Sequence, residues 1–357
     1  MTAIYDRVLA YIDDPGEGEF SALALAVFRH QFENCAPYRE YCASRNRVPD
    51  SVADWRDIPP VPVQAFKEVE LSCGPPQRVF LSTGTTAGTD RRSRHVVPDL
   101  RLYHRSALSG LRRFLLPDVD SIDMVSLIPP ADEQPDSSLA QMVAWAGETM
   151  AAGDLVYAAR PGEPVFDVFV DTLRRSEREG RPLCIFTTTG ALLNFLDFAA
   201  VRSLAFRLPH GSRIMDTGGD KGAPRRLSRK GVLHAVWKAF AIPGYFAVNE
   251  YGMAELSSQY YDSVIRDRFD GVHRGRHLMS PAWLRAVILH IETLAPVAAG
   301  EAGLICHYDL ANAGSAMAVL SEDLGILEDG GGLRLIGRAP RAEVRGCSLS
   351  VAEWPGA

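Results

Sequence analysis

Hydrophobic positions in the first part of the chain recur with the period of a helix. Between residues 21 and 41 the apolar side chains return every three or four positions, which predicts a helix. The segment 58–67, IPPVPVQAFK, is rich in proline, and proline density favours an extended, stiff backbone. The N-terminal part is therefore predicted to be a helical segment followed by a proline-rich connector.

Through the centre of the chain, short apolar runs alternate with amphipathic segments. The apolar runs predict strands at 124–128, 155–157, 183–187 and 212–217. The amphipathic segments predict helices at 137–146, 165–174 and 190–199. This alternation is typical of an α/β fold with a largely parallel sheet.

The pattern changes from about Trp283 onward, where short strands are separated by glycine and aspartate turns. These strands are predicted at 286–291, 303–308, 316–320 and 333–336. They favour an antiparallel sheet or a partial barrel. The predicted organisation is a helical segment with its connector at 1–70, an α/β core at 71–280 and a β-rich part at 281–357.

Composition and charge narrow the class of protein. The 357 residues are 46% hydrophobic and 23% charged, which is ordinary for a globular protein in water. The net charge of −6 provides no basic field for nucleic acid or an anionic membrane, so neither partner is expected. The longest apolar runs are too short for a membrane span, and the acidic N-terminus does not resemble a signal peptide, so a cytoplasmic location is expected.

The six cysteines form no C-x-x-C pair and no zinc-like spacing. Each is expected to be a reduced thiol, and Cys184 and Cys306 are expected to be buried because they lie in apolar strand-like runs. Cys347 differs, since it follows Arg345 and Gly346 near the chain end. An accessible thiol beside a cation has a lowered pKa and is reactive.

One segment combines hydroxyl groups, glycines and positive charge. Residues 79–97, VFLSTGTTAGTDRRSRHVV, carry an apolar run, a hydroxyl- and glycine-rich loop and a basic cluster that includes Arg94. Such a loop can point several N–H groups and hydroxyls at a polyphosphate. It matches neither the P-loop spacing nor G-x-G-x-x-G. A plain surface turn remains the alternative. The candidate phosphate-binding residues are Ser82, Thr83, Gly84, Thr85, Thr86 and Gly88.

Two further segments suggest a nucleotide pocket. Gly218 and Gly219 follow a predicted strand, where a flat ligand could approach the backbone, although a tight turn is the simpler explanation. In the segment NEYGMAEL, Tyr251 could stack on a purine beside Gly252, and Glu255 could hold Mg²⁺ next to phosphates. The alternative there is an amphipathic helix start with a glutamate in its first turn.

Two further polar segments lie near the end of the chain. Asp323, before Leu324 and Gly325, could accept hydrogen bonds from ribose hydroxyls, or could simply lie in a β-turn. The last segment, 337–347, contains Arg338 and Cys347 and could equally be a solvated basic loop.

In this order, the segments resemble the motif order of the adenylate-forming superfamily. The chain is most similar to one branch, the acyl-protein synthetases of bacterial bioluminescence operons, and the similarity spans nearly all of it. The stretches that carry this added similarity are residues 58–67, 82–86, 93–95, 137–139, 251–253, 258–262, 300–304, 309–312 and 337–347.

The resemblance implies a fold and a set of roles. The fold would be the large N-terminal domain of adenylate-forming enzymes, αβαβα sheets with a small barrel-like part, with the mobile C-terminal domain absent or vestigial. The hydroxyl–glycine loop would hold ATP phosphates. Gly218, Gly219 and Tyr251 would line the adenine and acyl pockets. Glu255 would bind Mg²⁺, and Asp323 would bind the ribose. Arg338 would contact the ribose or a phosphate, and Cys347 would receive the acyl group.

The expected reaction converts a carboxylic acid and ATP to acyl-AMP, then to a thioester on Cys347, then transfers the acyl group to a carrier or partner protein. Three departures leave alternatives open: Ala254 stands where the superfamily usually has threonine, the loop contains an extra alanine, and Ala339-Pro340 follows Arg338 where an acid is usual. One alternative is an ATP-independent acyltransferase that moves an acyl or aryl group from a CoA thioester through Cys347 to an acyl carrier protein. The other is a non-catalytic nucleotide- or acyl-binding subunit.

Overall fold

The structure is a computed structural model that describes residues 3–82, 92–218 and 227–339. Its helices are α1 (Ala3–Asp13), α2 (Glu19–Asn34), α3 (Ala36–Ser44), α4 (Ala65–Glu68), α5 (Leu100–Phe114), α6 (Ser138–Met150), α7 (Phe166–Glu179), α8 (Thr189–Val201), α9 (Arg229–Phe240) and α10 (Val264–Phe269). Its strands are β1 (Val61–Pro62), β2 (Arg78–Leu81), β3 (Arg94–Val97), β4 (Asp123–Ser126), β5 (Val156–Tyr157), β6 (Ala159–Arg160), β7 (Glu163–Pro164), β8 (Leu183–Thr188), β9 (Arg213–Thr217), β10 (Ala247–Tyr251), β11 (Tyr260–Asp262), β12 (Leu278–Met279), β13 (Leu284–Leu289), β14 (Ala302–Asp309), β15 (Ala318–Leu327) and β16 (Leu333–Arg338).

The chain divides into two compact units that interleave in sequence. Unit 1 consists of residues 1–109, 253–259 and 277–357, and unit 2 consists of residues 110–252 and 260–276. The domain boundaries at 70 and 280 stay a prediction. Among the described residues, no helix combines the length and the apolar character that a membrane crossing requires.

Unit 2 is built on parallel strands connected by helices. Its strands lie in the order β5-β4-β8-β9-β10, all parallel, with β11 antiparallel beside β10. Because α8 and α9 connect successive parallel strands, the carboxyl ends of β8, β9 and β10 lie at the same edge of the sheet. The alternation predicted from the sequence is confirmed here.

Unit 1 contains the antiparallel strands. Their order is β13-β14-β15-β16-β12, and the proline-rich β1 adds to β15 in parallel. Strands β2 and β3 form a separate antiparallel pair. Apolar side chains from α1, α2 and α3 share one core with β14 and β15. The antiparallel arrangement expected after Trp283 is confirmed.

Three local expectations are corrected by the structure. The predicted helix 21–41 is two helices that meet at Cys35, because Pro37 occupies the start of α3. The segment before Glu255 is strand β10 followed by a loop, so the helix start considered for it does not form. Asp323 lies inside β15 and not in a turn, since β15 continues to Leu327 paired with β14 and β16.

Candidate active site

Ser82 and Ser93 close the base of the hydroxyl–glycine loop in unit 1. The Ser82 N–H donates to the Ser93 carbonyl at 3.1 Å, and the Ser93 N–H donates to Ser82 Oγ at 3.0 Å. Arg92 Nε donates to the Ser82 carbonyl at 2.5 Å. These bonds fix the two ends of the loop against each other. The other predicted phosphate-binding residues, Thr83, Gly84, Thr85, Thr86 and Gly88, lie outside the described residues.

Glu255 is a buried carboxylate of this unit, with 5% of its surface exposed. Burial raises the pKa of the Glu255 carboxyl, while a hydrogen bond from the Ser93 side chain and the positive charges of Lys67 and Arg338 oppose that rise. Within the part of the chain that the structure describes, no lysine or arginine forms a direct ion pair with Glu255. Burial of a carboxylate raises the free-energy cost of its charge, and nearby positive charge lowers that cost.

Asp323 and Arg338 face each other across β15 and β16. The two residues are register partners, and Arg338 Nε lies 3.6 Å from Asp323 Oδ1. The Asp323 side chain is 18% exposed and that of Arg338 is 61% exposed, so the arginine extends toward solvent. Ser82, Glu255, Asp323 and Arg338 thus all belong to unit 1, and Glu255 is linked to Ser82 through Ser93 and to Arg338 by charge.

Arg94 forms an ion pair at the surface of unit 1. Its guanidinium lies 3.5 Å from the carboxylate of Glu70, and both side chains are more than half exposed. The described contacts therefore place Arg94 in a surface ion pair. Its assignment to phosphate binding stays a prediction.

Ser93 and Lys67 were missed as site residues by the sequence reasoning. Both are close enough to Glu255 to affect its ionisation. Their signal was present in two of the stretches that carry the family resemblance, 58–67 and 93–95. Nothing in those stretches marks a contact with Glu255, because that contact is formed only by the tertiary fold.

In unit 2, Gly218 follows the end of β9 in a left-handed conformation with φ +75°. The Thr189 hydroxyl lies 3.0 Å from the Gly218 carbonyl and 2.9 Å from Asp216 Oδ2. Arg229 donates to Asp216 Oδ1 at 2.6 Å, which fixes the carboxylate that ends this strand. Gly218 is thereby held at the carboxyl edge of the sheet, while Gly219 lies outside the described residues.

Tyr251 ends β10 at the same edge, and Gly252 follows it. The Tyr251 ring is largely buried and packs 5.8 Å, centroid to centroid, from the ring of Tyr260. The preceding residue, Glu250, is a buried acid that the sequence reasoning did not single out. Burial raises the pKa of its carboxyl to about 7, although the Thr217 hydroxyl donates a hydrogen bond to it.

The five cysteines among the described residues are free thiols, and the expected burial of Cys184 and Cys306 is confirmed. Cys184 and Cys306 are fully buried, and burial raises the pKa of Cys184 to about 12. Cys347, the predicted acyl carrier, lies outside the described residues, as does the expected C-terminal part of the fold beyond residue 339.

The donor set around Glu255 fits Mg²⁺ that arrives with a phosphate ligand. Among the described residues, no group of three or more His, Cys, Asp or Glu side chains could hold a metal by itself. Magnesium in nucleotide sites is held by one or two carboxylates together with the substrate phosphates, and a single buried carboxylate supplies that much.

Solved structures with a similar fold are adenylate-forming ligases. An open conformation of 2-hydroxyisobutyryl-CoA ligase superposes with a TM-score of 0.63 at 14% identity, covering 92% of this chain and 77% of that one. The same ligase in the postadenylation state superposes with a TM-score of 0.65 at 13% identity, covering 92% and 70%. These similarities confirm the predicted fold.

Curated relatives align over nearly the same length. The long-chain-fatty-acid–luciferin-component ligase of Vibrio harveyi is 22% identical over 349 residues, covering 93% of this chain and 87% of its own. The protein of the same name from Aliivibrio fischeri is 21% identical over 349 residues, covering 92% and 87%. The family model for the acyl-protein synthetase LuxE matches residues 3–354. The expected ligase activity class is thereby confirmed, and the chain belongs to the LuxE acyl-protein synthetase family.

Proposed function

We propose that this enzyme activates a long-chain carboxylic acid with ATP and carries the acyl group on Cys347 to a partner protein. The observation that carries the proposal is the buried Glu255 carboxylate, which accepts a hydrogen bond from Ser93 at the base of the hydroxyl–glycine loop and lies within the electrostatic reach of Lys67 and Arg338. Family membership and the names of the relatives, which are long-chain-fatty-acid ligases, support the substrate class.

The phosphate end of ATP is assigned to the hydroxyl–glycine loop and the residues near Glu255. The loop from Ser82 to Gly88, together with Arg94, would provide N–H groups, hydroxyls and charge for the phosphates. Lys67 and Arg338 add positive charge close to Glu255. A magnesium ion bound to the phosphates would neutralise part of their charge and would bind the Glu255 carboxylate.

In the first step, a carboxylate oxygen of the acid attacks the α-phosphorus, and the bond from that phosphorus to the bridging oxygen of pyrophosphate breaks. The products are acyl-AMP and pyrophosphate. Lys67 and Arg338 would stabilise the charge that accumulates on the leaving pyrophosphate. Asp323 would accept hydrogen bonds from the ribose hydroxyls and so orient the nucleotide.

The adenine and the acyl chain are assigned to Gly218, Gly219, Tyr251 and Gly252. Gly218, Gly219 and Gly252 allow a flat ring to approach the backbone, since they have no side chain to interfere. Tyr251 offers an aromatic surface at the same sheet edge. The hydrogen bonds that fix Asp216 would keep that edge rigid.

In the second step, the Cys347 thiolate attacks the acyl carbon of acyl-AMP. A carbon–sulfur bond forms, the bond from the acyl carbon to the AMP oxygen breaks, and AMP leaves with its charge on phosphate. A nucleophile of the partner protein then attacks the thioester and releases the thiolate. Thioester chemistry suits this transfer because a thiolate is a good leaving group.

The test is intact-mass spectrometry of the purified protein with a series of fatty and aryl acids plus MgATP. The expected result is AMP release and a protein adduct whose added mass is that of the acid minus one water. The Cys347→Ala variant should carry no adduct, and the neighbouring Ser348→Ala variant should carry the normal one. An adduct that persists on Cys347→Ala would overturn the assignment of the thiol.

A second candidate rests on Ala254, which stands where the superfamily usually has a threonine hydroxyl. It is the ATP-independent transfer of an acyl or aryl group from CoA through Cys347 to an acyl carrier protein. In the same assay, acylation from acyl-CoA alone, with none from acid and MgATP, would support it and refute adenylation. Tight ligand binding without any adduct would indicate a non-catalytic subunit.

A further inference from the structure

Side chains from two separate parts of unit 1 hold the backbone that carries Glu255. His95 Nδ1 lies 2.8 Å from the Ala254 carbonyl. Asn312 Nδ2 donates to the Glu255 carbonyl at 2.8 Å. Two consecutive carbonyls of this loop therefore have buried side-chain donors, and neither donor is a neighbour in sequence.

The hydrogen positions on the His95 and Asn312 side chains follow from their hydrogen-bond partners. A carbonyl can only accept, so His95 carries its proton on Nδ1. Burial lowers the pKa of His95 to about 4, although its hydrogen bonds with Ala254 and Asn312 favour protonation, so the ring is neutral at physiological pH. Asn312 donates its second amide hydrogen to the Ala316 carbonyl at 2.9 Å and accepts from the Ser257 hydroxyl at 2.8 Å.

The residues just after Glu255 are held by a directed chain of hydrogen bonds. Asp309 accepts from the Ser257 N–H at 2.9 Å and from the Ser258 hydroxyl at 2.6 Å. Because the Ser258 hydroxyl donates its one hydrogen to Asp309, its oxygen accepts from the Ser106 hydroxyl at 2.8 Å. Trp283 Nε1 in turn donates to Ser106 at 2.8 Å. Every hydroxyl in this chain has a defined direction.

We propose that His95 and Asn312 are positioning residues that fix the Glu255 carboxylate for the phosphate end of the substrate. This inference rests on the proposed function and extends it to two residues whose stretches carried the family resemblance without a role. A carboxylate that must meet a small cation gains from being held before the substrate arrives, because misplacement by about 1 Å costs roughly 100-fold in rate. Neither residue needs to touch ATP.

The test compares conservative variants at both positions. His95→Gln moves the donor away from Nδ1, whereas His95→Asn keeps a donor close to it, and Asn312→Asp keeps the shape but removes the Nδ2 donor. Tyr308→Phe is the matched control, since it removes a hydroxyl of unit 1 that hydrogen-bonds away from the Glu255 loop, to the Arg56 carbonyl at 3.0 Å and to Cys306. The probes are MgATP and tetradecanoic acid, with pyrophosphate exchange as the readout.

We expect His95→Gln and Asn312→Asp to lose about 10- to 100-fold in exchange rate and to need more Mg²⁺ for half-saturation. His95→Asn should stay within about threefold of the wild type, and so should the control. Equal losses in His95→Gln, His95→Asn and Tyr308→Phe would show a merely structural role and overturn the proposal.

Hydrogen–deuterium exchange of the peptide 253–259 separates this inference from the proposed function. The amide hydrogens of that peptide should exchange faster in His95→Gln and Asn312→Asp than in the wild type, and not in Tyr308→Phe. Unchanged deuterium exchange in both variants would refute the positioning role of His95 and Asn312, whether or not the enzyme adenylates its substrate. If the wild type shows no pyrophosphate exchange but the variants show the expected differences in deuterium exchange, adenylation is refuted and the contribution of His95 and Asn312 to holding the Glu255 loop stands.

Discussion

Asn312 donates a 2.8 Å hydrogen bond to the carbonyl of Glu255 across a separation of 57 residues. Both groups are buried, so the loss of this bond would leave a carbonyl without a partner in a region that excludes water. The position of the Glu255 peptide is thereby set by the turn after β14, and not by its own neighbours in the chain. This relationship makes the carboxylate a preorganised feature of unit 1.

Glu255→Gln should abolish most of the ATP-dependent acylation while the fold is kept. Glutamine is nearly isosteric but carries no charge to bind a phosphate-bound cation, so we expect a loss of roughly 100-fold or more in pyrophosphate exchange. The same change at the exposed Glu301 is the control and should have no effect. Exchange within a few-fold of the wild type would mean that Glu255 is not the metal-binding carboxylate.

Native protein should react with iodoacetamide at a single cysteine. Cys35, Cys42, Cys184 and Cys306 are fully buried, and burial raises the pKa of Cys42 to about 12. Burial likewise raises the pKa of the partly buried Cys73, so its thiolate is scarce at neutral pH. Intact mass should show one label on native protein, none on Cys347→Ala and six after unfolding. Two or more native labels would contradict the assignment.

Glu250 should make the stability of the protein depend on pH. Its pKa is raised from 4.5 to about 7 in the folded state, chiefly by burial. The folded state then binds more protons than the unfolded chain between these values, so the stabilisation is full below about pH 4.5 and is lost as pH rises through 7. Asp309, raised from 3.8 to about 6, contributes with the same sign.

Glu250→Gln should therefore flatten the decline in the free energy of unfolding between pH 4.5 and 7, by up to about 3 kcal/mol across that range. The measurement is urea unfolding at several pH values. Glu163→Gln, at an exposed position of the same unit, should leave the wild-type slope unchanged. An unchanged slope in Glu250→Gln would mean that this carboxyl does not titrate in the window.

The alternation of strands and helices was predictable because it depends on local periodicity. Strand β8 and helix α8 each bury a continuous apolar surface, and such surfaces leave a pattern in the sequence. Asp323 shows where this reasoning ends. The polar run around it resembles a turn, yet it continues β15 because β16 pairs with it and an irregular register at Leu324 and Gly325 accommodates the run.

The site itself was only partly predictable. Glu255 and Arg338 were found through the order of motifs along the chain. Lys67, His95 and Asn312 were not assigned roles, because the charge effect of Lys67 on Glu255 and the hydrogen bonds of His95 and Asn312 to its loop join positions far apart in sequence. A single sequence records which residue types are present, whereas the convergence of side chains on one carboxylate is a property of the packed fold.

Replacing Gly303, which packs against the backbone of the neighbouring strand, should destabilise unit 1. A Cβ at Gly303 would lie 2.2 Å from the carbonyl oxygen of Leu289 on the neighbouring strand, which cannot move without breaking the β13–β14 pairing. Gly303→Ala should therefore lower the free energy of unfolding by about 1–3 kcal/mol. The control is Gly74→Ala, whose Cβ would meet only Pro98 at 3.8 Å. Equal melting temperatures for the two variants would contradict the argument.

In unit 2, loss of the buried ion pair between Arg213 and Asp118 should destabilise the protein more than loss of the exposed pair between Arg202 and Asp167. Arg213 donates to both Asp118 oxygens, at 2.5 and 2.8 Å, and its side chain is 1% exposed. Asp118→Asn leaves a buried guanidinium without its counterion, which costs about 3–5 kcal/mol in the free energy of unfolding. Asp167→Asn, which removes the 84% exposed partner of Arg202, should cost at most about 1 kcal/mol. Urea unfolding of both variants decides the matter, and similar losses in the two would show that burial does not set the strength of the Arg213 pair.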